Sequence, residues 1–221
     1  MPIAIDNTTG QEFTAATSYT VSAFTVTGTN TYGLVGIGLR TNTGDITGVT
    51  FNGVAMTELQ QYNNATGTMT NWLFGLAGPT TGDIVITGDT SLAAEVVVST
   101  YTGVAQTGST GTIATATGTA PNVTVAVTSA TGEMVVDFVG WRTGGDGTAG
   151  ANQTKRSEAL IGNGISMDLA TSDEAGAATT TMSWTIAGTT SDGWITIGVP
   201  LKPAAAAATG YPPTLLTLNV G

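Results

Sequence analysis

The chain contains neither cysteine nor histidine. Without cysteine there can be no disulfide, no thiolate metal site and no cysteine nucleophile. Without histidine, Ser–His triads, imidazole metal sites and the usual general base near neutral pH are excluded. Stability must therefore come from a packed core, and any catalysis would have to use carboxylates.

Charge is the second scarcity. Charged residues make up 9% of the 221 residues, and five Lys and Arg face fifteen Asp and Glu, for a net charge of -10. Because five cations cannot neutralise many phosphates, we expect neither nucleic acid nor an anionic membrane as a partner. No apolar run approaches the roughly 20 residues of a membrane helix. The first residues also lack the basic start and apolar stretch of a secretory signal, so we expect synthesis and folding in the cytoplasm.

Threonine and glycine are abundant instead, and apolar residues alternate with polar ones through most of the chain. This pattern predicts an all-β, antiparallel, jelly-roll-like β-sandwich of roughly ten strands. Asn52-Gly53 is a two-residue hairpin signal. The segment 134–141 is apolar on both faces, which predicts a central strand, whereas 94–99 alternates and predicts one core face and one mixed outer face. The irregular stretch 142–164 is predicted to be a long exposed loop.

The last strand-like run ends near Pro203, and the chain then continues to Gly221. We therefore divide it into a sandwich domain, 1–203, and an Ala-rich tether with an apolar C-terminal arm, 204–221. Fully extended, the residues after the sandwich would reach about 60 Å, far enough to contact a neighbouring subunit. The predicted partner-binding residues of this arm are Tyr211, Pro212, Pro213, Leu215, Leu216, Leu218 and Val220.

A catalytic alternative rests on carboxylates alone. A pair of acidic side chains can hydrolyse glycosides, and Asp137, Glu95 and Glu133 are the candidates. Asp137 stands out because a carboxylate within an apolar strand is costly when it is buried without a partner. The simpler expectation is that Asp137 faces solvent or pairs with Arg40 or Arg142, and we predict no enzyme.

Oxygen ligands for Ca²⁺ are conceivable at Asp146 or at Asp173-Glu174, but neither segment has the spacing of a recognised calcium loop. We expect turn-forming acids in solvent there, with no cofactor and no metal.

The four tryptophans raise the possibility of a sugar-binding face. Trp72, Trp141, Trp184 and Trp194 all lie in or at the ends of predicted strands. Packing in the core or at a sheet edge is the commoner place for such residues, so a glycan-binding surface remains the alternative.

Five segments carry a family resemblance. They are 49–57, 72–87, 99–107, 127–136 and 179–203. Together they resemble a Thr/Gly-rich β-sandwich module that recurs in bacterial surface and secreted proteins and in structural proteins of tailed phages. These motifs are mainly turns and core strands, so the resemblance implies a fold more strongly than a function.

Within that family, one copy of the module without a signal or anchor is closest to a phage capsid decoration or cement protein. The resemblance implies a non-enzymatic virion protein on the capsid exterior, whose partners are the major capsid protein, copies of itself, or both. The alternative is a receptor- or glycan-binding module of a tail fibre or bacterial surface protein.

Overall fold

The computed structural model of the chain describes residues 1–40, 43–64, 67–119, 121–142, 145–159, 167–187 and 193–205. The prediction of an all-β, antiparallel, sandwich-like fold is confirmed, and the described residues form fifteen strands. No helix in these ranges is long and apolar enough to cross a membrane. The strands are β1 Ala4–Phe24, β2 Tyr32–Leu39, β3 Ile46–Phe51, β4 Val54–Ala55, β5 Thr57–Asn63, β6 Thr70–Ala77, β7 Gly82–Thr102, β8 Ala114–Gly118, β9 Asn122–Thr128, β10 Met134–Trp141, β11 Gly147–Ala149, β12 Thr154–Ala159, β13 Asp168–Ala175, β14 Thr179–Ile186 and β15 Trp194–Leu201.

These strands form three antiparallel sheets. The curled sheet has the order β4-β3-β7-β2-β6-β5, with β1 also paired to β7. The middle sheet has the order β12-β13-β10-β15-β8, and the outer sheet the order β11-β14-β9.

The curled sheet is built on two 21-residue strands, β1 and β7, which pair along nearly their whole length. Register shifts interrupt β1 between Phe13 and Ala16 and between Ala16 and Ser18. Because bulges bend and twist a strand, the sheet folds back on itself and encloses a core of its own. That core includes Phe24, Phe51 and Trp72.

The three central strands of the middle sheet, β13, β10 and β15, are buried on both faces. On one face, Phe138 and Leu169 pack with Leu34 of the curled sheet. On the other face, Trp141 and Trp184 belong to one cluster, and Val135 of the middle sheet packs with Met182 of the outer sheet in a second. The molecule is therefore three-layered, with the middle sheet between the other two.

Two glycines allow the layers to approach closely. A β-carbon added at Gly36 of the curled sheet would collide with the ring of Phe138. A β-carbon at Gly198 of the middle sheet would collide with Val127 of the outer sheet. Each glycine thus leaves space for a large side chain of the adjoining layer.

Two local predictions are confirmed. Asn52 and Gly53 connect β3 to β4 with φ values of 46° and 77°, the left-handed conformations that a tight hairpin turn requires. Strand β10, apolar on both faces, is the central strand of the middle sheet.

Two other predictions are wrong. The segment 94–99 has no outer face, because Glu95, Val97 and Ser99 are as fully buried as the residues between them. The middle sheet covers the face that the alternation assigned to solvent. The stretch 142–164 contains β11 and the edge strand β12, whose polar sequence carries no hydrophobic period but whose charges suit a sheet edge.

Candidate functional site

The predicted partner-binding residues, Tyr211 to Val220, lie outside the described residues. The chain that leads to them is fixed to the sandwich. Pro203 forms a bridge with Val104, and the amide of Ala204 donates to the carbonyl of Gly103 at 2.7 Å. Through Ala204, therefore, the start of the C-terminal segment has a defined place beside the end of β7.

The most unusual polar group in the described interior is Asp137, at the centre of β10. Its side chain is 0% exposed. Oδ1 accepts hydrogen bonds from the amide of Ser172 at 3.0 Å and from its hydroxyl at 2.7 Å. Oδ2 accepts from the indole Nε1 of Trp184 at 2.7 Å. The predicted environments, solvent or an arginine, are wrong for Asp137, because neutral donors from β13 and β14 surround it.

A second chain of hydrogen bonds runs beside the first. Gln153 donates from Nε2 to the hydroxyl of Ser172 at 2.7 Å, and its Oε1 accepts from the amide of Ser183 at 2.6 Å. Ser172 belongs to the middle sheet and Ser183 to the outer sheet, next to Trp184. We call Asp137, Gln153, Ser172, Ser183 and Trp184 the Asp137 network, and it links the two sheets at two points.

The protonation of Asp137 reflects two opposing effects. Burial raises the pKa of Asp137 to about 7, although the hydrogen bonds from Ser172 and Trp184 pull it downward. The indole and the Ser172 amide can only donate, so the geometry suits the carboxylate form. These donors stabilise the negative charge of Asp137, but they offset only part of the free-energy cost of removing it from water.

Asp173, a neighbouring acid on β13, is stabilised by a cation instead of by neutral donors. Asp173 is 3% exposed and accepts a hydrogen bond from Nε of Arg156 at 2.7 Å. This contact raises the pKa of Arg156. A second ion pair on β12, between Lys155 and Glu158, is more exposed. Of the two buried acids Asp137 and Asp173, therefore, Asp173 is paired with a cation and Asp137 is surrounded by neutral donors.

The structure does not bring the three candidate catalytic carboxylates together. Glu95 lies on the face of β7 that meets the middle sheet, whereas Asp137 lies on the face of β10 that meets the outer sheet. The middle sheet separates the two. Glu133 lies in the turn before β10 and accepts a hydrogen bond from the amide of Ala130 at 3.0 Å. These positions provide no facing pair of acids for glycoside hydrolysis.

All four tryptophans are buried, as their positions in predicted strands indicated. Trp72 lies in the core of the curled sheet. Trp141, Trp184 and Trp194 lie between the middle and outer sheets. The largest exposed fraction among them is 6%, so none offers a ring face on which a sugar could stack.

The calcium candidates are also apart from one another. Asp146 is exposed just before β11, as expected of a turn-forming acid. The same expectation is wrong for Asp173-Glu174, because both residues lie in β13 and Asp173 is buried against Arg156. In the described ranges, no group of three or more His, Cys, Asp or Glu side chains is placed to hold a metal ion.

Sequence reasoning missed the partners of Asp137. Ser172 is opposite Asp137 in the register of β10 and β13, but that pairing is not readable from the sequence. Gln153 and Trp184 come from other elements. The sequence did indicate that Asp137, an acid within an apolar strand, needs a hydrogen-bond partner, but it did not identify that partner.

The Asp137 network can hold the middle and outer sheets together. The carboxylate and the Ser172 hydroxyl resemble a base and a nucleophile in reach of each other, but both residues are 0% exposed. In this conformation the two residues are hydrogen-bonded to each other within the middle sheet, and Trp184 and Gln153 extend the network to the outer sheet.

No family model, curated protein or solved structure matches this chain.

Proposed function

We propose that this chain is a non-enzymatic virion structural protein that decorates or cements a bacteriophage capsid, with its C-terminal segment in contact with a neighbouring subunit. The observation that supports this most is where the candidate binding groups lie. In the described residues, Asp137 and all four tryptophans are buried and make their contacts inside the sandwich. The apolar residues after Ala205 instead follow a stretch of chain that is hydrogen-bonded to the sandwich through Ala204.

The described surface itself offers little apolar contact area. Its exposed large hydrophobic side chains are Met1 and Val54, at 61% and 54%. The sequence from Tyr211 to Val220, by comparison, contains five large apolar or aromatic side chains within ten residues. Each buried leucine would contribute on the order of 1.5–3 kcal/mol before ordering costs, and a symmetric lattice would multiply weak contacts through avidity.

Charge supports an exterior position. Five exposed carboxylates lie on strands or connections of the curled sheet, and such a surface is repelled by packaged DNA. They are Glu12, Asp45, Glu58, Asp83 and Asp89.

The proposal is tested in particles purified by density gradient from the natural host. We would compare the tagged full chain, a truncation after Ala205, and a full-length variant with Leu215, Leu216 and Leu218 changed to Ser. Truncation at this point keeps the contacts of Pro203 and Ala204 with the body.

We expect the full chain to co-purify with particles at constant stoichiometry and both variants to be depleted roughly tenfold or more, since several buried leucines are lost. Absence of the full chain from particles would overturn the proposed location. Equal incorporation of all three proteins would overturn the proposed role of the C-terminal segment.

A further inference from the structure

The Asp137 network contains the groups that an acyl transfer within the chain requires. The hydroxyl of Ser172 donates to Oδ1 of Asp137 at 2.7 Å, so a nucleophile lies against a carboxylate base. The same hydroxyl oxygen accepts a hydrogen bond from Nε2 of Gln153 at 2.7 Å. The Ser172 oxygen therefore lies between a base and a carboxamide, whose carbon Cδ is one bond from the contacting nitrogen.

The outer sheet orients the Gln153 carboxamide. The amide of Ser183 donates to Oε1 of Gln153 at 2.6 Å, and the hydroxyl of Ser183 donates to the same atom at 3.4 Å. Because a backbone amide can only donate, Oε1 faces Ser183 and Nε2 faces Ser172. Donors at Oε1 polarise the carbonyl group and stabilise the negative charge that develops there when Cδ is attacked.

The base is oriented by its own hydrogen bonds. Trp184 donates from Nε1 to Oδ2 of Asp137 at 2.7 Å, and the amide of Ser172 donates to Oδ1 at 3.0 Å. These contacts hold Oδ1 against the Ser172 hydroxyl. Burial raises the pKa of Asp137 to about 7, which suits a group that accepts a proton and returns it near neutral pH.

We propose that Ser172 and Gln153 form an intramolecular ester, a covalent cross-link that the chain makes by itself. A partial rotation about the Cγ–Cδ bond of Gln153 turns the face of the carboxamide toward Oγ of Ser172. Oγ then attacks Cδ while the hydroxyl proton passes to Asp137, and the tetrahedral centre carries its negative charge on Oε1, beside the Ser183 amide. As this centre collapses, the Cδ–Nε2 bond breaks, Asp137 returns the proton to the leaving nitrogen, and ammonia departs.

The reaction needs no other reagent. A hydroxyl and a carboxamide become an ester and ammonia, without an oxidant, a metal or a second substrate. Both groups belong to one chain, so their fixed proximity takes the place of substrate binding. Each chain reacts once, which is compatible with a structural protein. The cross-link does not depend on the proposed location in a virion.

Burial favours the lifetime of the product. Ser172 and Asp137 are 0% exposed, so the water that would hydrolyse the ester is excluded from it. Gln153 is half-buried and follows the exposed turn residues Ala151 and Asn152, which gives ammonia a route to solvent. The site is therefore closed where the ester forms and open where the leaving group departs.

The cross-link would fasten the edge of the middle sheet. Strand β12, which begins just after Gln153, pairs with one strand only, β13. Its register with β13 is interrupted between Lys155 and Ser157. A strand with one partner opens more readily than a central strand. An ester from Gln153 to Ser172 would hold the start of β12 to β13 permanently.

The test is the intact mass of the purified full chain, measured after incubation at pH 7 and denaturation in urea. Loss of ammonia lowers the mass by about 17 Da. We expect this loss in the wild-type chain, and we expect none in Ser172→Ala or Gln153→Glu, which lack the nucleophile and the leaving amide. Ser129→Ala should react like wild type and is the matched control, because the Ser129 hydroxyl donates to the backbone carbonyl of Ala177.

Trypsin locates the cross-link. Lys155 and Arg156 lie between Gln153 and Ser172, so trypsin separates these two residues unless the ester joins them. We expect the peptide that ends at Lys155 to be linked to the peptide that begins at Ser157. Brief treatment with dilute alkali, which hydrolyses esters much faster than amides, should release both peptides.

The role of Asp137 is tested by Asp137→Asn, which removes the base with little change in size. We expect this variant to form the cross-link at least about a hundredfold more slowly, the smallest effect usual for loss of a general base. Its near-ultraviolet circular dichroism spectrum should match that of wild type, which would show that the slow reaction does not reflect unfolding.

An unchanged wild-type mass after prolonged incubation would overturn the proposal, as would a mass loss that persists in Ser172→Ala. A loss of ammonia located at Asn52-Gly53 would assign it to succinimide formation and would also overturn the cross-link. A gain of about 1 Da at Gln153 would mean that water takes the acyl group and that no ester persists. If Ser172→Ala does not fold, Gln153→Glu and the linked peptides decide the question.

Discussion

The curled sheet and the outer sheet bury their apolar side chains in different ways. The curled sheet encloses its own core between two halves joined by 21-residue strands. The outer sheet has three strands and no enclosed core, so it depends on one interface with the middle sheet. At that interface lies a buried carboxylate hydrogen-bonded to Trp184. The outer sheet therefore depends on its neighbour for burial of its apolar face, whereas the curled sheet also has a core of its own.

Loss of the Trp184 indole should have the largest effect. Trp184→Ala removes a buried ring and one donor to Asp137, which should reduce the unfolding free energy by about 3–5 kcal/mol. Hydrogen exchange followed by mass spectrometry should show faster exchange in β9, β11 and β14 than in β2. Trp72→Ala is the matched control, and its faster exchange should appear in the curled sheet. A uniform change in both variants would contradict the distinction between the two sheets.

The pH dependence of stability should show the buried carboxylate. The pKa of Asp137 is about 7 in the folded protein, against 3.8 for an ordinary exposed aspartate. The folded state therefore binds the proton more tightly than the unfolded state, so this residue's contribution to stability is full below pH 4 and is lost as pH rises to about 7. A shift of about three units corresponds to about 4 kcal/mol.

Urea unfolding of wild type and Asp137→Asn between pH 3 and 8 measures this contribution as a difference, since other acids titrate in both. The wild-type advantage should decline from pH 4 to 7 and be constant above. Asp146→Asn replaces an acid at an exposed site and serves as the control. A wild-type advantage that grows with pH would show that Asp137 is ionised throughout.

The two ion pairs of β12 provide a smaller contrast. Arg156→Met leaves Asp173 buried without its cation and should cost about 2 kcal/mol, less than a fully buried pair because Arg156 is 25% exposed. Lys155→Met breaks a more exposed pair and should cost less than about 1 kcal/mol. Thermal unfolding of both variants at pH 7 makes the comparison. An equal loss of stability in the two variants would mean that burial of Asp173 does not make the Arg156–Asp173 pair more stabilising than the Lys155–Glu158 pair.

The smallest expected effect concerns the β3–β4 turn of the curled sheet. Gly53 has a φ of 77°, so Gly53→Ala should destabilise by about 1 kcal/mol. Gly48 has open space around its α-carbon, and Gly48→Ala serves as the control with a cost near zero. The same unfolding measurement applies, and a Gly53→Ala variant as stable as its control would argue against a strained turn.

The local sequence pattern was enough to predict the strands, a hairpin turn and the position of one central strand. The alternation and the Asn52-Gly53 turn predicted antiparallel strands, and the doubly apolar segment 134–141 predicted the centre of a sheet. The burial of both faces of 94–99 was not predictable, because the covering sheet comes from residues far along the chain.

The candidate site was predictable in part for the same reason. Asp137 could be identified as an acid in need of a partner, but its donors come from β13 and β14 and are brought together only by register and layering.

The most direct test of the central proposal is the identity of the chain that the C-terminal segment contacts in assembled particles. A photo-crosslinking residue at position 216 would be compared with the same residue at Val54, which is exposed on the body. We predict a crosslink from position 216 to a different protein chain, identified by mass spectrometry, and fewer such crosslinks from position 54. Crosslinks from position 216 confined to the chain's own sandwich would contradict it.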